Sequence, residues 1–302
     1  MNLPLILPSG TQVVTLTDIY SHAGEILVPA GGVGVIVGVP VDPTHAYRVR
    51  FSDDSEHTLK RRDLTVRALQ QEPIAVEHVN DEMFIWVIYR CVIGSQAYGL
   101  SHQNSDTDIR GIYLPPAEQH WSLVGVPEQL ERGEETYWEL EKFLLLALKA
   151  NPNILECLYT PMVQHVTPLA QELLAMRHIF MSRLIYQTYS GYVASQFKKL
   201  QKDMENYGSI RWKHAMHLIR LLLAGITAMR EKRIELHVGE QRERLLDIRR
   251  GLVTWEEINE WRRALHREFD LAFQTSELPE RPDYELANAY LLRARRSMVR
   301  DL

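Results

Sequence analysis

Cysteine is scarce in this chain: 302 residues contain only Cys91 and Cys157, whose separation has no metal-ligand spacing. Two thiols cannot make a disulfide framework, and the pattern suits a reducing cytoplasm. Long apolar runs are missing too. Stretches such as Phe143–Leu148 fall far short of the roughly 20 residues that cross a bilayer, and no charged-then-apolar leader opens the chain. No membrane association is expected, and the protein reads as cytoplasmic. An excess of positive charge is also lacking, with a net charge of -5. That balance argues against a strongly basic nucleic-acid binder while leaving room for a local basic groove. No repeat or low-complexity segment interrupts the sequence. What is present, 45% apolar and 24% charged residues, is ordinary globular composition, with length for two or three domains.

Three regions differ in pattern. Residues 1–72 carry short runs rich in Val, Ile, Thr and Tyr: Thr11–Thr17, Glu25–Val28, Gly32–Val39, Ala46–Phe51 and His57–Leu59. Turn signals at 29–32, 40–43 and 52–55 separate them, so a small β barrel is expected. Residues 73–165 read as mixed α/β. Strands are expected at Met83–Ile93, Ile109–Leu114 and Glu134–Trp138, with a loop or short element at Trp121–Gly125. A helix over Glu139–Ala150 places Leu140, Phe143, Leu144 and Ala147 on one face, and Asn151-Pro152 is expected to end it, with Asn151 as C-cap. Residues 166–302 are helical, in segments Leu169–Met176, Ile179–Asp203, Ile210–Arg230, Glu240–Arg250, Thr254–Phe273 and Pro282–Arg296. Thr254 with Glu257 three residues on is a capping box. The expected fold class is α+β.

The most informative segment runs from Ile93 to Gly111. An apolar run, Trp86–Ile93, ends in Gly94-Ser95, and after ten intervening residues comes Asp106-Thr107-Asp108, followed by Ile109-Arg110-Gly111. Alternate residues of a strand share a face, so Asp106, Asp108 and Arg110 would stand in a row. Two carboxylates so close repel unless a cation lies between them, and hard oxygen ligands suit Mg²⁺. A glycine at the end of a strand lets backbone N–H groups approach a phosphate, and the Ser95 hydroxyl adds a donor.

This order of Gly-Ser and Asp-x-Asp resembles the nucleotidyltransferase superfamily that includes DNA polymerase beta. Residues 134–143, with Asn151-Pro152-Asn153 and Glu156, are similar to a prokaryotic branch of uncharacterised predicted nucleotidyltransferases. The resemblance implies a polymerase-beta-like core with a mixed sheet and a third carboxylate. Register places Glu134 on that position, where the family usually has aspartate, and Glu135 lies one residue off. Neighbours on a strand face opposite sides, so at most one of the two can join the aspartates. Asp106, Asp108 and Glu134 are thus the expected catalytic and metal-binding residues, holding two Mg²⁺ or Mn²⁺ ions. Gly94, Ser95 and Arg110 are expected to hold phosphate. Glu156, set among apolar neighbours, would need a partner and would position a helix. Residues 28–51 look like part of an SH3-like barrel, a module that binds a protein partner or braces a neighbour.

In the helical part, Lys213, His217 and Arg220 fall on one face of an otherwise apolar helix. Such a cationic stripe is costly to cover unless it meets an anion. The same Lys-His-x-x-His-x-x-Arg run recurs in the resembling family, which makes the three candidates for contact with a triphosphate. His214 lies off the stripe. Tyr192, Gln196 and Lys199 form another face at the same spacing, read as ordinary solvated surface.

The expected function is transfer of a nucleoside monophosphate from an NTP to an acceptor hydroxyl, with release of pyrophosphate. The alternative is a non-catalytic nucleotide or RNA sensor that keeps the pocket. An RNA end, a protein hydroxyl and a small molecule all offer the acceptor oxygen, and fold does not choose among them.

Overall fold

A computed structural model of the chain describes residues 6–21, 24–40, 45–67, 82–102 and 105–299. It divides into two compact units, Met1–Val76 and Glu77–Leu302. The expected turn at 40–43 and the expected boundary at 72/73 fall largely outside the described residues.

The first unit holds β1 (Gln12–Thr15), β2 (Ile19–Tyr20), β3 (Ile26–Val28), β4 (Val33–Gly38), β5 (Tyr47–Phe51), β6 (Glu56–Leu59) and β7 (Leu64–Val66). The short strands β2 and β7 were not anticipated. Five strands form an antiparallel sheet in the order β6-β5-β4-β1-β7, and β2 pairs with β3. Strand β5 shows the period-2 rule: Tyr47, Val49 and Phe51 are buried, while Arg48 and Arg50 point outward and pair with Glu56 of β6.

The described part of the second unit passes through a 3-10 turn, Phe84–Trp86, where a strand was expected, and then β8 (Val87–Ile93). β9 (Asp108–Tyr113) follows, then the short helix α1 (Ala117–Trp121), β10 (Gln129–Arg132) and β11 (Glu135–Glu139). After α2 (Leu140–Leu148) and α3 (Pro152–Tyr159), β12 (Val163–Val166) completes a sheet ordered β10-β11-β9-β8-β12. It is mixed: β9 and β11 run parallel, the other pairs antiparallel.

Asn151 corrects an expectation. It caps the start of α3, not the end of α2: its Oδ1 accepts from the Asn153 and Ile154 backbone N–H groups at 3.0 and 3.4 Å. Pro152 then occupies the first turn, where its missing N–H costs nothing. The chain leaves α2 through Ala150 at φ +53.

The helices that follow are α4 (Pro168–Ala175), α5 (Leu184–Tyr207), α6 (Trp212–Glu231), α7 (Arg242–Arg250), α8 (Trp255–Thr275) and α9 (Tyr284–Arg296). The Thr254–Glu257 capping box opens α8 as expected. Among the described residues no helix is long and apolar enough to cross a membrane. One hydrophobic cluster runs from Tyr89 on the sheet through Phe143 and Leu155 to Ile219 and Phe269. This shared core fixes α6 against the sheet end that carries Gly94 and Asp108.

Candidate active site

The site starts where β8 stops. Ile93 pairs with Asp108, so Gly94 lies beside the aspartate that opens β9. Gly94 has φ +76, and a Cβ there would come within 2.1 Å of Asp108 Oδ2. Only glycine satisfies both demands. Beyond it the chain folds into a tight turn, in which Tyr98 N donates to Gly94 O at 3.0 Å and Leu100 N donates to Ser95 O at 2.8 Å. Ser95 is half-buried within this turn.

Three side chains brace the turn that sequence reading did not single out. Gln96 Nε2 donates to Thr107 Oγ1 at 2.8 Å, tying the Gly-Ser turn to the middle of Asp-x-Asp. From α7, Arg242 Nε donates to Gly99 O at 2.9 Å and Arg249 Nη1 donates to Leu100 O at 3.1 Å. Gln96 sat inside the motif, but nothing local marks arginines more than 140 residues away.

The acidic residues do not all fall as expected. β9 begins at Asp108, so Asp106 precedes the strand, is exposed, and does not line the cavity described below. The two aspartates are therefore not two members of one strand face, because pairing with β8 starts only at Asp108. Arg110 Nη2 lies 3.6 Å from Asp108 Oδ1, while its Nη1 donates to the backbone O of Ile109 and of Glu134 at 2.7 and 3.0 Å. Arg110 thus links the two acidic segments.

Glu134 and Glu135 separate clearly. Glu135 pairs with Ile109 in register, on the sheet face away from Asp108. There it meets Arg90 at 2.8 Å and Arg132 at 3.5 Å and accepts from the Tyr137 hydroxyl at 2.6 Å. Glu134 is exposed and precedes β11, and its backbone O accepts from Ile109 N at 3.3 Å. Among the described residues no three His, Cys, Asp or Glu side chains converge as a metal-holding group, so Asp106, Asp108 and Glu134 are not drawn together as one. The donors themselves are hard carboxylate oxygens, the type that Mg²⁺ and Mn²⁺ take.

A cavity of about 1030 Å³ opens over Asp108. Gly94, Asp108 and Arg110 line its sheet side, and His217 and Arg220 of α6 line another. His214, set aside in the sequence reading, also lines it; Lys213 is exposed and does not. The face of α5 read as solvated surface, Tyr192, Gln196 and Lys199, forms a further wall.

Arg220 is committed inside the protein. It is 7% exposed, its Nη1 lies 2.8 Å from Glu156 Oε1, and its guanidinium stacks 3.7 Å over the Tyr98 ring. Glu156, 1% exposed, also accepts from the Tyr98 hydroxyl at 2.5 Å. The partner expected for Glu156 is thus this pair, and the trio joins α3, α6 and the Gly-Ser turn. Burial holds the Tyr98 phenol well above its ordinary range. His217 is pushed down to about 3, chiefly by burial and then by the neighbouring charges of Arg220 and Lys213. It is neutral at physiological pH, so the stripe offers a ligand a neutral imidazole rather than a third cation.

A family model described as the RNA repair pathway DNA polymerase beta family matches residues 69–293. The chain is also 30% identical over 95 residues to the uncharacterized protein YcgL of Bacillus subtilis (strain 168), a match covering 30% of this chain and 36% of that protein. The aligned part therefore spans about a third of the relative's length.

Proposed function

The chain belongs to the RNA repair pathway DNA polymerase beta family, and from that membership we propose a metal-dependent nucleotidyltransferase that moves a nucleoside monophosphate from an NTP to an acceptor hydroxyl. One observation carries the reading: Gly94 is packed so tightly on Asp108 that no side chain fits between the turn and the carboxylate. A phosphate-holding turn and an acidic residue held together at the mouth of a large cavity are the two elements the reaction needs.

Asp106, Asp108 and Glu134 would hold Mg²⁺ or Mn²⁺, two ions in all, which when bound neutralise phosphate charge and activate the acceptor oxygen. The backbone of Gly94 and Ser95 meets the phosphates, and Arg110 orients the acidic segments and the phosphate near them. Lys213, exposed on the first turn of α6, draws in the triphosphate tail. His217 contributes a neutral hydrogen-bonding group, and Arg220, held by Glu156, gives a fixed positive field. The acceptor oxygen forms a bond to the α-phosphorus as the bond to the β-phosphate bridge breaks, leaving pyrophosphate. The hydroxyl proton passes to a carboxylate, for which Glu134 is the candidate.

The family's description supports an RNA end as the acceptor, with a protein hydroxyl and a small molecule as the alternatives. Residues 73–165 serve as the catalytic core and 166–302 as a helical domain over the nucleotide. Residues 1–72, an SH3-like barrel, receive a protein partner, and the protein works in the cytoplasm. Incubating labelled NTPs with Mg²⁺ or Mn²⁺ and a pool of cell RNA and protein tests the transfer and its acceptor. Label should pass to RNA, with pyrophosphate released, and both should vanish in the Asp106→Ala, Asp108→Ala double variant. Equal transfer by the double variant would sink the reading.

A further inference from the structure

Helix α5 carries a feature that packing does not explain. Gly191 lies well inside this 24-residue helix, where glycine is the least favourable residue after proline. Nothing lies within 4 Å of where its Cβ would be, so no neighbour demands the missing side chain. Its backbone has no unusual φ to explain it either. The open space in front of Gly191 is the cavity over Asp108.

The same wall carries Gln187, Tyr192, Gln196 and Lys199. Among the described residues, none of these four side chains has a hydrogen bond, ion pair or ring contact. The Tyr192 ring is 51% exposed. The neighbouring strip of α5 is ordinary core, with Ile185, Tyr189, Val193 and Phe197 buried, and buried Leu200 borders the cavity. Tyr192, Gln196 and Lys199, at i, i+4 and i+7, therefore present an aromatic ring, a neutral amide and an ammonium on one face beside Gly191. Thr188, Ser195 and the Asp203 carboxylate also line the cavity, and Gln187 stands about two and a half turns before Gln196, on another side of the helix. Amides suit the mixed donor and acceptor edges of a base, and a free aromatic face suits stacking. The cavity, at about 1030 Å³, stands at the top of the range of about 300–1,000 Å³ usual for small-molecule sites. It has room for a nucleoside in addition to a triphosphate at the Gly-Ser turn.

We infer that the α5 wall is the nucleoside subsite: Tyr192 stacks on the base of the incoming NTP, Gln196 meets its edge, and Gly191 gives the base clearance. The inference rests on the transferase reading above. It assigns recognition of the nucleoside to α5 and recognition of phosphate to the sheet end.

Calorimetric titration of the full chain in Mg²⁺ separates the two, with inorganic tripolyphosphate and each common NTP as probes. The native chain should bind at least one NTP roughly tenfold more tightly than tripolyphosphate, the size of one base–aromatic stack. Gly191→Leu should erase that preference while leaving tripolyphosphate within roughly twofold, because the turn is a separate site. Its melting temperature should hold or rise, since leucine favours a helix and its Cβ meets no neighbour there. Tyr192→Ala should weaken the NTP alone, and Tyr192→Phe should keep the affinity. Undiminished NTP binding by Gly191→Leu, or parallel loss of NTP and tripolyphosphate, would overturn the subsite and leave the transferase reading standing. A native chain that binds neither probe would overturn both.

Discussion

Two helices wall the same cavity in opposite ways. α6 buries 12 of its 20 residues, including Arg220, whereas α5 buries five of its 24. A buried arginine must keep its partner, so α6 offers the cavity a charge that is fixed in place and already committed to Glu156. On the cavity face of α5 Thr188 donates to Lys149 O, but Tyr192, Gln196 and Lys199 have no side-chain partner among the described residues and can turn to meet what enters. The contrast is between a preorganised electrostatic wall, suited to phosphate, and an adaptable one, suited to a base.

The sharpest way to break that contrast is to uncouple Arg220. Glu156→Leu leaves the guanidinium buried and unpaired and should cost about 3–5 kcal/mol in urea denaturation, while Glu156→Leu with Arg220→Leu should recover most of it. A neutral single variant would mean that α6 holds its cation no more firmly than α5 holds Lys199. Next in size is Gly94→Ala. A side chain at φ +76, within 2.1 Å of the Asp108 carboxylate, should cost about 1–3 kcal/mol. On the transferase reading, displacing the turn by an ångström should also lower label transfer roughly 100-fold. Native activity in this variant would show that the Gly94–Asp108 contact is not what organises the site.

How much of this was legible beforehand follows the range of each interaction. Strand β5, helix α2 and the Thr254 capping box are written in local periodicity and end signals, and sequence reading finds them. Asn151 misled because the same Asn-Pro pair can close one helix or open the next, and only the following turn, with its backbone N–H groups aimed at Oδ1, decides. Asp106 and Asp108 sit two apart in sequence, but strand pairing begins at Asp108, a limit set by β8 rather than by the motif. The bracing of the Gly-Ser turn by Arg242 and Arg249 joins residues far apart in the chain, and no spacing rule reaches that far. The α5 face was legible as a pattern and misjudged in meaning, because whether a polar face meets solvent or a cavity depends on what folds over it.

His217 sharpens the comparison through pH. Its native pKa, about 3, lies below the ordinary 6.5, so between those values the unfolded chain binds the extra proton and the folded chain does not. Stability that is full above pH 6.5 should therefore fall as pH drops toward 3, by about 1–2 kcal/mol at pH 5 from this group. His217→Gln should flatten that part of the stability profile measured by urea denaturation at stepped pH. Identical profiles for native and variant would show that burial on α6 does not hold the imidazole neutral. Tripolyphosphate, if it sits against α6 as proposed, should pull the pKa upward and flatten the native profile as well.

The smallest effect belongs to the other wall. Gln196→Ala and Lys199→Ala remove side chains without partners among the described residues, so each should change stability by no more than about 0.5 kcal/mol. Thermal melts of the two variants beside native protein are enough to test this. A loss well above 1 kcal/mol in either would mean the face is packed in solution and cannot turn toward a ligand. Near-zero cost paired with weakened NTP binding is the opposite of what Glu156 and Arg220 should show, where stability falls first. That outcome would assign the polar, aromatic face beside Gly191 to a ligand rather than to the fold.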